Sequence, residues 1–340
     1  MQAVILAGGY GTRLAPLTYT RAKPMLPILN KPMVRHLMDS LPQETEIILA
    51  TNYKTEQIKK YFKEQNREII INREPEPLGT GGATKYAEDY INGTFMVLNG
   101  DIISSLNIRK FIRFHKKNKA MATISLWPVK NVWEFGVVAL KPDGRITKFV
   151  EKPSRKEAPS NLINAGAYCL EPEILDYIEQ GRMVSMEKEI FPKIIKEGKR
   201  FYGHTFDGFW IDVGRPASYI EANKILLKRN GISYITGKNC IVKGKLEDSC
   251  IGNGTEVGTE SKINSSVIYE NSTIGPNAFI DNCIIGSDCS VGSNTLLRNV
   301  IVGDGEKIEE KKKLENMSVW NKPVPEGYPD RQIGNALKDG

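Results

Sequence analysis

The chain has 340 residues, of which 40% are hydrophobic and 26% are charged. This composition is typical of a globular protein of about two domains and excludes disordered and fibrous chains. The net charge of +7 suits an anionic ligand, but basic clusters such as residues 115–119 lack interleaved aromatic residues, so we expect solvated surface, His115 included, rather than a nucleic-acid interface.

No segment approaches the ~20 apolar residues that a membrane span requires. The first residues also lack the basic and apolar regions of a secretion signal. We therefore expect a cytoplasmic protein with no membrane partner. The cysteines form no CxxC pair and are interpreted as small buried hydrophobic residues in a reducing compartment, namely Cys169, Cys240, Cys250, Cys283 and Cys289.

Short apolar runs alternate with helix-like stretches up to about residue 230. The runs predict strands at residues 4–6, 46–50, 69–71, 95–98, 123–126 and 167–170, and helical spacing predicts helices at 33–38 and 55–62. This rhythm is typical of a doubly wound α/β domain with a mostly parallel sheet. Such a sheet binds ligands at the carboxyl ends of its strands.

From about residue 234 the apolar residues follow a different period. Steps of six, six and five residues close a repeat of 17, which runs from Tyr234, Cys240 and Leu246 through Ile251 to Leu314. Glycines follow many of these positions, and a short fixed period of this kind predicts a parallel β-helix of hexapeptides. A β-sandwich would not keep the period over successive steps. The predicted domains are 1–232, a catalytic domain; 233–315, the β-helix; and 316–340, a C-terminal tail.

A glycine-rich loop, Gly8-Gly9-Tyr10-Gly11-Thr12-Arg13-Leu14, follows the first predicted strand. The backbone N–H groups of such a loop can bind phosphates. The loop is not a P-loop, because no Gly-Lys-Ser/Thr follows, and it lacks the third glycine of the dinucleotide fingerprint. Arg13 and Lys23 place two cations within reach of the same ligand.

Further motifs lie at Pro77-Leu78-Gly79-Thr80-Gly81-Gly82-Ala83, Asn99-Gly100-Asp101, Phe149-Val150-Glu151-Lys152-Pro153, Asn164-Ala165-Gly166 and Trp210-Ile211-Asp212-Val213-Gly214. Together with the glycine-rich loop and Lys23-Pro24, they resemble the sugar-1-phosphate nucleotidylyltransferases. These enzymes make nucleotide sugars and release pyrophosphate. The resemblance covers most of the chain and implies a Rossmann-like nucleotidyltransferase sheet followed by a left-handed parallel β-helix of hexapeptide repeats.

The resemblance also implies roles for individual residues. A nucleoside triphosphate would be bound by Leu6, Ala7, Gly8, Gly9, Gly11, Thr12, Arg13, Lys23, Glu74, Gly79, Thr80 and Asp101, and the sugar phosphate by Gly136, Glu151, Lys152 and Asn164. Asp101 and Asp212 would hold Mg²⁺. The catalytic residues would be Arg13, Lys23, Asp101, Lys152 and Asp212, whereas Arg21 is interpreted as loop surface.

The chemistry needs no histidine base. A sugar phosphate is largely ionised near pH 7, since its second pKa is about 6, so its oxygen can attack the α-phosphorus directly. We therefore interpret His36, His115 and His204 as structural residues. Positioning and charge neutralisation should supply the rate.

Glu74 stands where family members that use pyrimidine nucleotides carry a glutamine. A carboxylate can accept both N–H donors of guanine, which predicts GTP and, by resemblance to the guanylyltransferase branch, mannose 1-phosphate. Alternatives are heptose 1-phosphate with GTP, or glucose 1-phosphate with dTTP or UTP. Glu74 and Glu76 could instead be solvated loop carboxylates, with backbone groups reading the base.

Two hypotheses from other functional classes fit the sequence less well. A non-catalytic regulatory subunit is expected to lose charged catalytic residues, which are all present here. An acyltransferase in the β-helix would use a histidine base, and no histidine follows His204. We expect a homo-oligomer, because the ends and flat faces of a β-helix must be covered. The tail either docks on the chain or contacts a partner.

Overall fold

The computed structural model describes residues 1–329. The chain divides into two compact units. The sheet unit comprises residues 1–9 and 36–210, and the β-helix unit comprises residues 10–35 and those from 211 onward. The units are discontinuous in sequence because the segment Tyr10–Arg35 groups with the C-terminal residues, whereas the predicted domains were continuous.

Thirteen strands precede residue 213. They are β1 (Gln2–Leu6), β2 (Pro27–Ile28), β3 (Lys31–Pro32), β4 (Glu46–Thr51), β5 (Ile70–Arg73), β6 (Phe95–Asn99), β7 (Ile102–Ser104), β8 (Ala122–Pro128), β9 (Gly136–Leu140), β10 (Ile146–Glu151), β11 (Leu162–Leu170), β12 (Phe201–Thr205) and β13 (Trp210–Asp212). Each strand predicted before residue 171 is found.

The α-helices are α1 (Leu17–Thr20), α2 (Met33–Ser40), α3 (Thr55–Glu64), α4 (Gly79–Tyr86), α5 (Ile108–Lys117), α6 (Phe191–Lys196) and α7 (Pro216–Arg229). Both predicted helices are confirmed as α2 and α3. Short 3-10 helices lie at Thr12–Leu14, Lys23–Met25, Glu88–Tyr90 and Pro172–Tyr177, and a π-helix at Met186–Ile190. Among the described residues, no helix has the length and apolar composition that crossing a bilayer requires.

The large sheet of the sheet unit has the order β10-β9-β11-β6-β1-β4-β5, with β8 beside β11 and β12 beside β8. Strands β5, β4, β1 and β6 are parallel, and β11 then pairs with β6 in the antiparallel sense. Ala3, Val4 and Ile5 are fully buried, which fits a central parallel strand covered on both faces. The predicted fold class of this half is confirmed.

His115 of α5 is buried, so the prediction that it lies on the surface is wrong. Its Nδ1 lies 2.9 Å from Thr123 Oγ1 and its Nε2 lies 3.0 Å from Glu171 Oε1. Burial lowers its pKa despite the neighbouring carboxylate of Glu171. The lysines of the same cluster are exposed as expected.

The strands after residue 233 form a β-helix in which every described pair is parallel. They are β14 (Tyr234–Thr236), β15 (Ile241–Val242), β16 (Lys245–Glu247), β17 (Ser249–Ile251), β18 (Glu256–Val257), β19 (Lys262–Asn264), β20 (Val267–Ile268), β21 (Thr273–Ile274), β22 (Phe279–Asp281), β23 (Ile284–Ile285), β24 (Ser290–Val291), β25 (Leu296–Val302), β26 (Lys307–Ile308) and β27 (Lys313–Val319).

The predicted repeat of 17 is confirmed from Leu246 onward. Ile251 pairs with Ile268, Ile268 with Ile285, and Ile285 with Val302, all buried. The register before Leu246 is wrong at Tyr234 and Cys240. Tyr234 pairs with Ser249, 15 residues on, so Thr236 and not Tyr234 stands beside Ile251. In the same way Val242, and not Cys240, stands beside Val257.

Asparagines at one corner of the β-helix explain part of its sequence. Asn282, Asn299 and Asn316 all have positive φ, a conformation that asparagine tolerates better than most residues. The Asn282 amide donates to Asn299 Oδ1 and the Asn299 amide to Asn316 Oδ1, both at 2.8 Å. This ladder joins successive coils.

The cysteines carry free thiols, and all but the half-buried Cys240 are buried. Burial raises the pKa of Cys169, Cys250 and Cys283 to about 12. These thiols therefore stay protonated at neutral pH and act as small apolar residues, as expected.

Candidate active site

The carboxyl ends of the parallel strands bring predicted nucleotide-binding residues to one edge of the sheet unit. Leu6 ends β1, and Ala7, Gly8 and Gly9 follow it. Glu74 follows β5, and Asp101 follows β6 after one residue. The Gly100 N–H donates to Leu6 O at 2.9 Å, which joins two of these turns. The edge is the part of a doubly wound fold where ligands bind.

Gly100 and Gly9 lie at this edge, and glycine is present at the two positions for different reasons. A Cβ on Gly100 would lie 2.4 Å from Leu6 O, so packing requires glycine there. A Cβ on Gly9 would meet no atom within 4 Å. Packing does not explain the glycine at Gly9, but the missing side chain leaves its exposed backbone open to close approach by a ligand.

Glu74 is only 5% exposed. Its Oε2 accepts the Leu78 N–H at 3.1 Å, and its Oε1 faces Gly8, whose Cβ position would lie 3.3 Å away. Burial raises the pKa of Glu74, and the hydrogen bond from Leu78 offsets part of that rise. The alternative of a solvated carboxylate is therefore wrong for Glu74, whereas Glu76 is exposed.

The second glycine-rich segment is held by the residues before the π-helix. The N–H groups of Gly81 and Gly82 donate to Val184 O at 2.8 and 3.2 Å, and the Val184 N–H donates to Leu78 O at 2.9 Å. Gly79 has a φ of +72°, and a Cβ there would lie 2.7 Å from Val184 O. The Gly81 and Gly82 amides already donate hydrogen bonds within the protein, which argues against the alternative that they recognise the base.

Three of the four predicted sugar-phosphate residues lie on β9, β10 and β11, and Lys152 follows β10 directly. A Cβ on Gly136 would lie 2.4 Å from the Phe149 ring and 2.8 Å from Glu151 Oε2, so glycine allows β9 and β10 to pack closely. Burial raises the pKa of Glu151, and the negative charge of Glu187 adds to the rise. The Lys152 side chain is exposed.

Glu187 is a residue of this region that the sequence did not indicate. Its Oε1 accepts the Tyr168 hydroxyl at 2.8 Å, and its Oε2 accepts the hydroxyls of Thr80 at 2.7 Å and Ser185 at 2.8 Å. The buried Tyr168 hydroxyl in turn accepts the Asn164 amide at 2.9 Å. Glu187 therefore links the predicted sugar residue Asn164 to the predicted nucleotide residue Thr80.

The β-helix unit carries the rest of the predicted residues. Gly11 has a φ of +69°, and Thr12–Leu14 form a short 3-10 helix with Arg13 exposed. A Cβ on Gly11 would lie 3.1 Å from Lys23 Cβ. A Cβ on Gly214 would lie 2.7 Å from Arg13 Nη2 and 2.9 Å from Asp212 Oδ1, so both charged side chains lie beside Gly214.

Asp101 and Asp212 are chemically suited to a divalent cation. Each carboxylate is half-buried, one just after β6 and the other at the end of β13. Carboxylate oxygens are the donors that Mg²⁺ prefers, and Mg²⁺ commonly keeps substrate phosphates and water as its other ligands. Within residues 1–329, no three His, Cys, Asp or Glu side chains are grouped so as to hold an ion by themselves.

Comparison with known families decides the class of this site. Residues 2–229 match the family model described as Nucleotidyl transferase, and residues 235–326 match the GMPPB C-terminal domain. The chain belongs to the nucleotidyl transferase family. The resemblance predicted from the motifs and the predicted enzyme class are confirmed. Nucleotidyltransferases of this family generally use a divalent metal ion.

Individual relatives agree with this assignment. The mannose-1-phosphate guanyltransferase of Saccharomyces cerevisiae is 40% identical over 256 residues, covering 71% of this chain and 70% of that protein. The enzyme of the same name from Aspergillus oryzae is 39% identical over 276 residues, covering 74% of each chain. The crystal structure of HddC from Yersinia pseudotuberculosis complexed with GMP-PN is 32% identical, with a TM-score of 0.56, and covers 66% of this chain and 99% of that one.

Proposed function

We propose that this protein transfers a guanylyl group from GTP to mannose 1-phosphate, giving GDP-mannose and pyrophosphate. The observation that carries the proposal is the buried carboxylate of Glu74, whose Oε1 faces Gly8 at the ligand-binding edge of the sheet. The names of the similar fungal enzymes support the sugar and the nucleotide.

Guanine presents two adjacent N–H donors on its Watson–Crick edge. An ionised carboxylate only accepts hydrogen bonds and can receive both donors. A pyrimidine imide alternates donor and acceptor and would leave one of its own acceptors facing the carboxylate. Glu74 therefore favours GTP over UTP or dTTP, since an unpaired buried polar group costs about 1–3 kcal/mol.

In the reaction, an oxygen of the sugar phosphate attacks the α-phosphorus of the nucleotide. The bond from that phosphorus to the bridging oxygen breaks, and pyrophosphate leaves with the electron pair. The attacking phosphate is already ionised, so no side chain has to remove a proton. Arg13, Lys23 and Lys152 bind and orient phosphate oxygens and neutralise their charge.

Asp101 and Asp212 would hold Mg²⁺, which supplies further neutralisation of phosphate charge when bound. The backbone of Gly8, Gly9 and Gly11 binds the phosphates from the loop, with Leu6, Ala7, Thr12, Gly79 and Thr80 completing the nucleotide site. Glu151 and Asn164 bind sugar hydroxyls, and the backbone of Gly136 completes the sugar site beside Glu151. The domain limits, the homo-oligomer and the cytoplasmic location stay predictions.

The test is turnover with Mg²⁺, each nucleoside triphosphate in turn and a panel of sugar 1-phosphates, with product masses recorded. We expect GTP and mannose 1-phosphate to give the highest kcat/KM and a product of the mass of GDP-mannose. A higher kcat/KM with UTP or dTTP and glucose 1-phosphate would overturn the base assignment. A higher value with heptose 1-phosphate would overturn only the sugar.

A further inference from the structure

Residues 320–328, here called the C-terminal segment, pack on the residues that follow the glycine-rich loop. The ring of Trp320 lies 5.3 Å from that of Tyr19 in α1, and the ring of Tyr328 meets Tyr19 edge-on at 4.8 Å. Tyr328 also lies 6.0 Å from Tyr10 of the loop. This part of the predicted tail docks on its own unit, while residues 330–340 lie outside the described residues.

Hydrogen bonds continue from this aromatic cluster into the loop. The Thr18 hydroxyl donates to Gly11 O at 3.0 Å. Because the Thr18 hydrogen is used in this way, the Tyr328 hydroxyl, 2.8 Å away, donates to Thr18. The Tyr328 oxygen also lies 3.5 Å from Tyr10 O. Thr18 is fully buried and Tyr328 is 8% exposed, so water competes little with these bonds.

These contacts bear on the peptide group between Gly11 and Thr12. In a trans peptide the C=O and N–H bonds point in opposite directions. Fixing Gly11 O therefore fixes the Thr12 N–H, which points away from Thr18. Gly11 O also accepts the Leu14 N–H at 2.8 Å, so both of its lone pairs are used.

We propose that Thr18 is a positioning residue that aims the Thr12 N–H group at the phosphates of the nucleotide, and that Tyr328 is a positioning residue that acts through Thr18 by fixing its hydroxyl. This inference rests on the proposed function, which places a nucleoside triphosphate on the loop. Donors held in place before the ligand arrives need no reorganisation when it binds. The last described residues of the chain thus complete a site whose sequence motif lies at its beginning.

The C-terminal segment is itself anchored to the last coil of the β-helix. Asn321 bonds through its N–H and its amide to the two oxygens of Glu306, at 3.1 and 2.6 Å. A Cβ on Gly303 would lie 2.4 Å from the Trp320 ring, so glycine at that turn lets the indole pack closely. The β-helix therefore supports the loop through this segment.

The experiment compares Tyr328→Phe, Thr18→Val and the double variant with the wild type, and uses Tyr177→Phe as a matched control. Like the Tyr328 hydroxyl, the Tyr177 hydroxyl donates to a side chain, that of Glu197 at 2.7 Å. Tyr177 lies in the sheet unit, and neither it nor Glu197 is a predicted site residue. Calorimetric titration gives the Kd of the tightest-binding nucleoside triphosphate without sugar phosphate. Steady-state kinetics gives the KM of the sugar phosphate.

We expect the nucleotide Kd to rise about 3- to 10-fold in either single variant, as for loss of one hydrogen bond. The double variant should bind nucleotide about as well as Thr18→Val alone, because Tyr328 acts on the Gly11 carbonyl only through Thr18. The KM of the sugar phosphate and the thermal midpoint should stay near wild type, and Thr18→Ser should restore binding.

Wild-type nucleotide affinity in both single variants would overturn this inference and leave the proposed function intact. An equal rise in the nucleotide Kd and the sugar-phosphate KM, together with a lower thermal midpoint, would also overturn this inference, because it would indicate that these residues only stabilise the fold. Turnover is scored separately. A wild type that binds nucleotide without turnover contradicts the proposed function alone, and one that binds no nucleotide overturns both.

Discussion

Arg21 donates a hydrogen bond from Nη2 to Glu270 Oε1 at 2.8 Å, and so ties the segment after the glycine-rich loop to a turn of the β-helix. The same nitrogen donates to Ser287 Oγ at 2.6 Å, and the guanidinium lies 5.1 Å from the centre of the Tyr269 ring. Burial raises the pKa of Glu270, but the charge of Arg21 and the hydrogen bonds to the carboxylate, from Arg21 above all, together outweigh this and hold the pKa below its ordinary value. Arg21 is therefore not loop surface, and that prediction is wrong.

Replacing Arg21 with methionine should destabilise the protein by about 1 kcal/mol. Removing one partner of a fully buried ion pair costs more, but the Arg21 and Glu270 side chains are 21% and 38% exposed, so solvent screens the pair. Thermal unfolding at pH 7 measures the change. The control is Arg182→Met, which breaks a more exposed pair with Glu189 and should leave the midpoint nearly unchanged.

The pH dependence of this effect has a definite sign. The pKa of Glu270 is lower in the folded than in the unfolded chain, so its contribution is present above the ordinary glutamate pKa of about 4.3 and is lost as pH falls through the folded pKa. The wild type and Arg21→Met should therefore converge in stability below about pH 4. A gap that stays constant at acidic pH would contradict the ion-pair explanation.

The sequence predicts those strands and coils whose apolar residues follow a local periodicity. The apolar runs locate β1, β4, β5 and β6, because a buried parallel strand needs a continuous apolar stretch. The repeat of 17 locates the inward residues from Leu246 onward, since each coil stacks on an equivalent one. The repeat fails at Tyr234 and Cys240 because the first coil has 15 residues in place of 17. No coil precedes the first one, so its length is constrained by stacking on one side only.

The sequence does not predict contacts between distant residues. Arg21 and His115 look like surface residues because their neighbours in sequence are polar or basic. Their partners, Glu270 and Glu171, lie 249 and 56 residues away. Glu187 was missed for the same reason, since its bond to Thr80 spans 107 residues. A charged side chain gives no periodic signal when its burial depends on one distant partner.

Glu187→Gln should weaken the binding of both substrates. The amide keeps one acceptor oxygen but turns a donor toward Thr80 and Ser185 or toward Tyr168, so at least one hydroxyl of this network must rotate away. An unmatched buried group costs about 1–3 kcal/mol, which predicts a rise of about tenfold in KM for the sugar phosphate. Steady-state kinetics with each substrate varied gives the two KM values.

The matched control for that change is Glu189→Gln in the same π-helix, whose side chain is 39% exposed and whose carboxylate bonds to Arg182 and the Ser185 N–H. It should change neither KM by more than about twofold. Equal effects of the two variants would show that Glu187 supports only the local helix and not the substrate residues Asn164 and Thr80.

Asp101→Asn and Asp212→Asn should each abolish measurable turnover while preserving the fold. An amide keeps the size of the carboxylate but loses the charge that would hold the cation, and the transition state then lacks stabilisation worth several kcal/mol. Pyrophosphate release at saturating Mg²⁺ measures the loss, and circular dichroism checks the fold. Asp143→Asn, in an exposed turn, is the control. Wild-type rates in either variant would contradict its role as a metal ligand.

Glu74→Gln should reduce the preference for GTP over UTP or dTTP by about tenfold or more in kcat/KM. The glutamine amide replaces one of two acceptors with a donor facing a guanine N–H, a mismatch worth about 1–3 kcal/mol. Glu76→Gln, two residues on and exposed, is the matched control and should leave the ratio unchanged. Arg13→Ala should depress all nucleotides together, because every nucleotide shares the triphosphate.

The same ratio should depend on pH in the wild type. Burial raises the pKa of Glu74, so acidification protonates this carboxylate at a pH where an ordinary glutamate is still charged. The protonated acid has lost one acceptor, and the preference for GTP should fall as pH drops toward that raised pKa. Ionisation of the sugar phosphate affects every nucleotide alike and cancels in the ratio. Glu74→Gln cannot titrate, so its ratio should be flat over the same range. A wild-type ratio that is equally flat, or a Glu74→Gln ratio equal to that of wild type at neutral pH, would show that the base is read by other groups.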